Sequence, residues 1–199
     1  METIDELPLL LERLERHWRR LRSPLSQIAL PGLSDDQIDE LIAPTGLALP
    51  TELRVWWRWR NGTTLQHTRA PDAWLCACTW PLLGLTECVE YYVDLYDAEY
   101  GEDLSYARTW LPLSLRTYGH EYLIVDTSTD DSSSGVIQYD QEAQPEEELA
   151  VADSLTALVG MWVERLDAGE PTVTWQGDQY TKRDVQGPAH PAVTYARFG

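Results

Sequence analysis

The chain has one Phe, two Met and three Cys among 199 residues, and 15 Lys and Arg against 33 Asp and Glu. Each shortage excludes something. Three cysteines cannot all pair, and Cys76 and Cys78 flank a single alanine, closer than the two- to four-residue spacing of zinc ligands. Neither a disulfide framework nor a metal site is expected, and the cysteines read as buried free thiols. Long apolar runs are also missing. The opening METIDELPLLLERLERHWRRLRS is broken by Glu12, Arg13, Glu15 and Arg16, so it offers no signal-peptide core and no membrane span. A cytoplasmic location is the expectation.

Catalytic signatures are equally scarce. There is no P-loop and no glycine-rich dinucleotide fingerprint, and Ser114, Ser128, Ser154 and the cysteines sit in no nucleophile motif. His17, His67, His120 and His190 fall in different elements without a pairing pattern. The segment DTSTDDSSSG, with Asp126, Asp130 and Asp131, lacks the glycine and glutamate that a calcium loop needs at its sixth and twelfth positions. No catalytic, cofactor-binding or metal-binding residue is therefore assigned, and the chain is read as a binding protein rather than an enzyme. A hydrolase assembled from two distant carboxylates is the less favoured third class.

What is abundant is negative charge, and it is uneven. Residues 1–83 hold 11 acidic and 9 basic side chains, residues 84–153 hold 17 and 2, and residues 154–199 hold 5 and 4. Of the net charge of -18, the middle segment carries -15. Such a field repels nucleic acid and attracts basic surfaces. Nine Trp and ten Tyr add large apolar bodies with polar edges, suited to half-buried positions.

Leu7, Leu10, Leu11, Leu14, Trp18 and Leu21 recur at helical spacing and predict a first helix from about Asp5 to Arg22, stopped by Pro24. Ser34 with Gln37 forms a capping box ahead of Ile38, Leu41 and Ile42. A third helix runs from Thr51 to Arg60, with Asn61-Gly62 expected to end it through positive φ. WLCACTWPLL reads as one buried strand. Thr86 is the expected cap of a helix with Val89, Tyr92, Val93, Tyr96 and Tyr100 on one face. TWLPLSLR, EYLIVDT, GVIQYD and LAVA read as antiparallel strands, and Ser154 opens a closing helix with Leu155, Leu158, Val159, Trp162, Val163 and Leu166 in register. The fold class is α+β, an antiparallel-rich sheet flanked by N-terminal helices and a closing C-terminal helix. Residues 1–170 form the domain, and residues 171–199 are an extension with the makings of an added edge strand.

Several local signatures in this order resemble the SUKH superfamily, which holds fungal cell-wall-assembly regulators and many bacterial toxin-immunity proteins. They are Leu49-Pro50-Thr51-Glu52-Leu53 leading through Trp56 and Trp57 to Asn61-Gly62, then Trp110-Leu111-Pro112-Leu113, Tyr122-Leu123-Ile124-Val125-Asp126, Gly135-Val136 with Tyr139, and Asp153-Ser154-Leu155. The likeness spans roughly residues 30–168 and implies a SUKH-like binding scaffold, in a bacterium commonly an antitoxin. The segment Gln66 to Leu83, the loop Thr129 to Ser134 and the tail after Gly169 depart from the pattern.

Glu87, Glu90, Asp94 and Asp97 recur on the fourth helix at spacings that line them along one face. Like charges at this spacing destabilise a helix slightly, so stability does not explain the stripe. With Glu99, Glu102, Asp103, Asp130 and Asp131, these residues are the candidate contacts for a basic protein such as a cognate toxin. Trp59, the tryptophan that a single core seam does not accommodate, is a candidate aromatic anchor. An intracellular scaffold or regulator with an endogenous partner is the competing reading, and a solvated acidic face that only maintains solubility is the plain one.

Overall fold

The leucine spacing of the N-terminus becomes the buried face of α1 (Glu6–Arg20) in the computed structural model of the chain. The structure describes residues 6–21, 23, 25–63, 75–77, 80–97, 108–115, 121–128, 135–140, 149–169, 173–176, 179–182 and 193–196. Leu7, Leu10, Leu11, Leu14 and Trp18 are all buried. The short α2 (Leu25–Ile28) and β1 (Ala29–Pro31) follow, neither long enough to show a period in the sequence. At α3 (Asp35–Ile42) the capping box forms as expected. The Gln37 amide donates to Ser34 Oγ at 3.3 Å, and the Ser34 amide donates to Gln37 Oε1 at 2.9 Å.

The third predicted helix is α4 (Thr51–Trp59), and its ending differs from expectation. Arg60 is already extended, with φ -149° and ψ 141°, and the chain passes directly into β2 (Arg60–Thr63), which pairs antiparallel with β1. Gly62 does have positive φ, 77°, but inside this strand. A Cβ there would overlap the backbone of Gly84. The neighbouring Asn61 Oδ1 accepts the Leu85 amide at 2.8 Å. Asn61-Gly62 is thus the seat for the start of the next helix rather than the stop of its own.

WLCACTWPLL is two short strands, β3 (Leu75–Ala77) and β4 (Trp80–Pro81), paired antiparallel, not the single strand expected. α5 (Leu85–Asp97) begins ahead of Thr86, because its first amide is satisfied by Asn61 and the Gly84 amide donates to Glu87 Oε2 at 3.0 Å. Its buried residues are Leu85, Cys88, Tyr92 and Leu95, while Val93 is exposed. The apolar face is therefore turned away from the one expected through Val89 and Val93, since the larger leucines win the core.

Four strands then form a meander in the order β5 (Trp110–Leu115), β6 (Glu121–Asp126), β7 (Val136–Asp140) and β8 (Leu149–Ala152). All neighbours are antiparallel, with Leu111 opposite Val125 and Val125 opposite Val136. Pro112 is tolerated because β5 is an edge strand with a register irregularity between Pro112 and Ser114. The fold is α+β, as the sequence pattern predicted. Beyond the closing helix, β9 (Val173–Gln176), β10 (Gln179–Lys182) and β11 (Val193–Ala196) pair with one another in a three-stranded sheet.

α6 (Leu155–Asp167) carries all six of its predicted apolar residues into the core, none more than 6% exposed. It runs parallel to α1, because Leu10 faces Gly160 while Arg13 and His17 reach Asp167. Ser154 Oγ accepts the Ala157 amide at 3.0 Å, the expected cap. The other free amides are met from elsewhere. Glu52, 1% exposed, accepts the Leu155 amide at 3.2 Å, the Thr156 amide at 3.0 Å and the Thr156 hydroxyl. At the far end Arg20 donates to the Leu166 carbonyl at 3.4 Å and to His17 Nδ1 at 2.9 Å. Arginine can only donate, so Nδ1 is the acceptor and the ring's proton is on Nε2, donated to Asp167 Oδ1 at 2.8 Å.

Three outcomes follow for stability. Glu52→Ala leaves buried amides unmet and lowers the unfolding free energy by about 3–5 kcal/mol, more than Glu52→Gln, which keeps an acceptor oxygen. Trp162→Ala opens a core cavity at a cost of about 3–5 kcal/mol. Urea melts measure both, and an unchanged midpoint in either would mean that α6 is not docked as described. The third concerns acid. Burial raises the Asp167 carboxyl pKa, but the hydrogen bonds from Arg13 and His17 and the charge of Arg13 outweigh it and hold the group below the ordinary carboxylate value. A lowered folded pKa stabilises above the unfolded value and is lost as pH falls through the folded one. The stability gap between wild type and Asp167→Asn should therefore close on acidification through and below the carboxylate range; a gap independent of pH there would contradict the pairing.

Candidate interaction surface

α5 is held by its buried side and exposes Glu90, Val93 and Asp94 on the other. Leu85, Cys88, Tyr92 and Leu95 anchor it in the core, and the Tyr92 hydroxyl donates to the Arg108 carbonyl at 3.0 Å. The Cys88 thiol approaches the Leu113 carbonyl of β5 at 3.8 Å. Cys88 is a buried free thiol whose pKa is pushed well up, first by burial and then by the charge of Glu87. It is an inert core residue.

The solvent side carries the predicted stripe in part. Glu87 is half-buried and directs its carboxylate to the Gly84 amide, where it also complements the helix dipole. It acts as a cap, a role that its position as third residue of the helix explains. Glu90 and Asp94, one turn apart, are exposed, and neither has an ion-pair partner among the described residues. Asp97 closes the helix; its side chain lies outside the described residues. Glu99, Glu102, Asp103, Asp130 and Asp131 also lie outside them, as do His67, His120 and His190. Asp126 is at the end of β6, with its Oδ1 accepting the Ser128 amide at 2.9 Å. Burial raises its pKa, and hydrogen bonds from Ser128, Thr109 and Trp110 bring it below the ordinary value.

Beside the two exposed carboxylates lies a row of aromatic rings that the sequence did not reveal. Tyr91 of α5 meets Tyr122 of β6 edge to face at 6.3 Å, Tyr122 meets its cross-strand partner Tyr139 at 6.4 Å, and Tyr139 meets Trp110 at 6.1 Å. Tyr122 is 8% exposed. Its pKa is raised by burial first and then by the charge of Asp94. That of Tyr91 is raised by burial and then by Glu87. Both phenols stay protonated and neutral throughout the physiological range.

Trp59 occupies a different surface. It is half-buried, with its ring 5.2 Å from both Trp18 and Trp56, and its indole N–H donates to Glu15 Oε1 at 2.9 Å. Glu15 also receives Arg60 and Arg19, each at 2.7 Å, so the group ties α1 to α4 and β2. The structure does not bring Trp59 together with the α5 carboxylates.

Among the described residues no group of three or more His, Cys, Asp or Glu is placed to hold a metal ion, and no helix is long and apolar enough to cross a membrane. What the arrangement offers is a helix-capped α+β scaffold that presents an acidic helix face. Residues 32–160 match the SMI1 / KNR4 family (SUKH-1), and the chain belongs to that family. No curated protein matches the sequence.

A structural outcome bears directly on the site. Asn61→Ala deprives the Leu85 amide of its acceptor and should cost about 1–2 kcal/mol, with amide exchange quickening first in α5. Exchange that quickens equally in every helix would argue against Asn61 as the seat of α5.

Proposed function

We propose that this chain is a non-enzymatic protein-binding module that captures a basic protein partner on the α5 face, in the role of an immunity protein that neutralises a cognate toxin. The observation that carries this reading is the exposed pair Glu90 and Asp94, which has no ion-pair partner among the described residues, set within a segment of net charge -15. Their separation of one helical turn is unfavourable to the isolated fold and is relieved only when a cation approaches. SUKH domains serve in immunity or in regulation, and a strongly basic partner, such as a nuclease whose substrate channel is cationic, suits this charge. Charge of this kind chiefly accelerates encounter, and packed groups at the centre of the contact set its lifetime.

The test is kinetic. The partner is sought first as the product of a neighbouring gene and captured by pull-down. Replacing Glu90, Asp94 and Asp97 together by Gln or Asn should slow its association by roughly tenfold at low salt and flatten the salt dependence. The melting temperature should stay the same or rise, since exposed like charges contribute nothing favourable to stability. Equal association rates for the two proteins at low and high salt would make the stripe a solvated face and place binding elsewhere.

A further inference from the structure

The C-terminal half of α1 carries the opposite charge to α5. Arg13, Arg16, Arg19 and Arg20 are gathered there, in a chain of net charge -18. Where the chain leaves α1 and passes through α2 into β1, a cleft of about 70 Å³ opens, lined by Glu15, Trp18, Arg19, Leu25, Ala29 and Arg60. That is room for several waters, or for one small polyatomic group in their place. Glu15 holds two guanidiniums together on its wall. Arg60 donates to Glu15 Oε1 from Nε at 2.9 Å and from Nη2 at 2.7 Å, and Arg19 donates to Oε2 from Nη2 at 2.7 Å.

Two cations share one anion, so the wall keeps an excess of one positive charge. It also keeps donors. Nη1 of Arg60, with Nε and Nη1 of Arg19, makes no hydrogen bond to any described residue. Ser26, also on the wall, gives its hydroxyl proton to the Ser23 carbonyl at 2.7 Å and has none to offer. The rest of the lining is apolar, with Trp18 and Leu25 buried and Ala29 half-buried. Arg60 and the Trp59 indole already tie Glu15 to β2 and α4. Arg19 is not needed for that tie, and with a side chain 66% exposed its pair with Glu15 contributes little stability. What Arg19 adds is charge and donors at the cleft.

We propose that this cleft is a binding site for one carboxylate carried on a short aliphatic stem. A carboxylate brings a single charge, which matches the excess, and two oxygens able to accept from both guanidinium forks at once. Its stem would replace water against Trp18, Leu25 and Ala29. A phosphate brings further negative charge toward Glu15 with no cation left to balance it. Two sources carry the favoured chemistry, an acidic side chain of a peptide and a free short-chain acid. The site shares no residue with the α5 face and does not rest on capture there.

The probe is sodium propionate, titrated into the isotope-labelled full chain at neutral pH, with chloride adjusted to hold ionic strength constant. Binding is followed through the Trp18 indole and Arg60 side-chain N–H resonances. Saturable shifts with a dissociation constant on the order of millimolar are expected. Arg19→Gln should weaken binding roughly tenfold and melt with the wild type, since it removes only an exposed pair. Ala29→Leu, which fills the cleft without altering its charge, should abolish binding. Acetyl-glutamate amide separates the sources: binding at least as tight as that of propionate assigns the site to an acidic side chain, and much weaker binding assigns it to a free acid. Shifts that do not saturate, a propionate affinity unchanged in Arg19→Gln or in Ala29→Leu, or tighter binding of inorganic phosphate than of propionate would each overturn the site.

Discussion

One buried carboxylate joins the two halves of this fold. Glu52 sits in the first turn of α4 and accepts the first two amides of α6, together with the Thr156 hydroxyl, across more than a hundred residues of chain. A charge so deeply placed is tolerable only where donors surround it, and here they are the unmet N–H groups of a helix N-terminus, with the dipole adding its own attraction. α6 is then fixed at both ends by side chains from other elements, Glu52 at the start and Arg20 at the last carbonyls. Between these points its apolar stripe has one rotational setting, and the cores shared with α1 and α4 form around it. Removing the carboxylate would free the end of the helix before any hydrophobic contact is touched.

The same device recurs where the interaction surface begins. α5 is capped jointly by its own Glu87 and by Asn61 of β2, and the close approach of Gly62 to Gly84 sets the distance. A helix that carries several like charges on its outer face gains little from its own propensity. It is held by its seat and by Leu85, Cys88, Tyr92 and Leu95 beneath. Of the described acidic side chains on α5, Glu87 has a structural duty, and those at positions 90 and 94 are exposed to solvent and to whatever approaches from it.

What was legible in the sequence was local. α1, α3 and α6 could be read because their apolar periods run over several turns and, for α3 and α6, because Ser34 and Ser154 cap them within three residues. The meander was legible because β-rich runs alternated with polar loops. The start and rotation of α5 were not, since its cap comes from Asn61, in another element. Glu52 looked like an ordinary acidic residue in a first helical turn, because its partners lie in a distant helix. The aromatic row escaped for a related reason. Tyr122 and Tyr139 face each other only in one register of β6 against β7, and loop lengths alone do not set that register. The charge of the candidate surface was evident from counting, but its ring chemistry required the strands to be paired.

The matched family segment, residues 32–160, is narrower than the unit that folds. All of α1 precedes it, and the turns of α6 that hold Trp162, Val163 and Leu166 follow it. Yet Leu7, Leu10, Leu11, Leu14 and Trp18 are no more than 6% exposed, in the same core as those residues. The inherited module and the cooperative unit are thus different objects. The first carries the recurring pattern, and the second needs flanking helices that the pattern does not specify. The parallel α1–α6 pair, clasped by Arg13, His17 and Asp167, closes the core outside the matched segment.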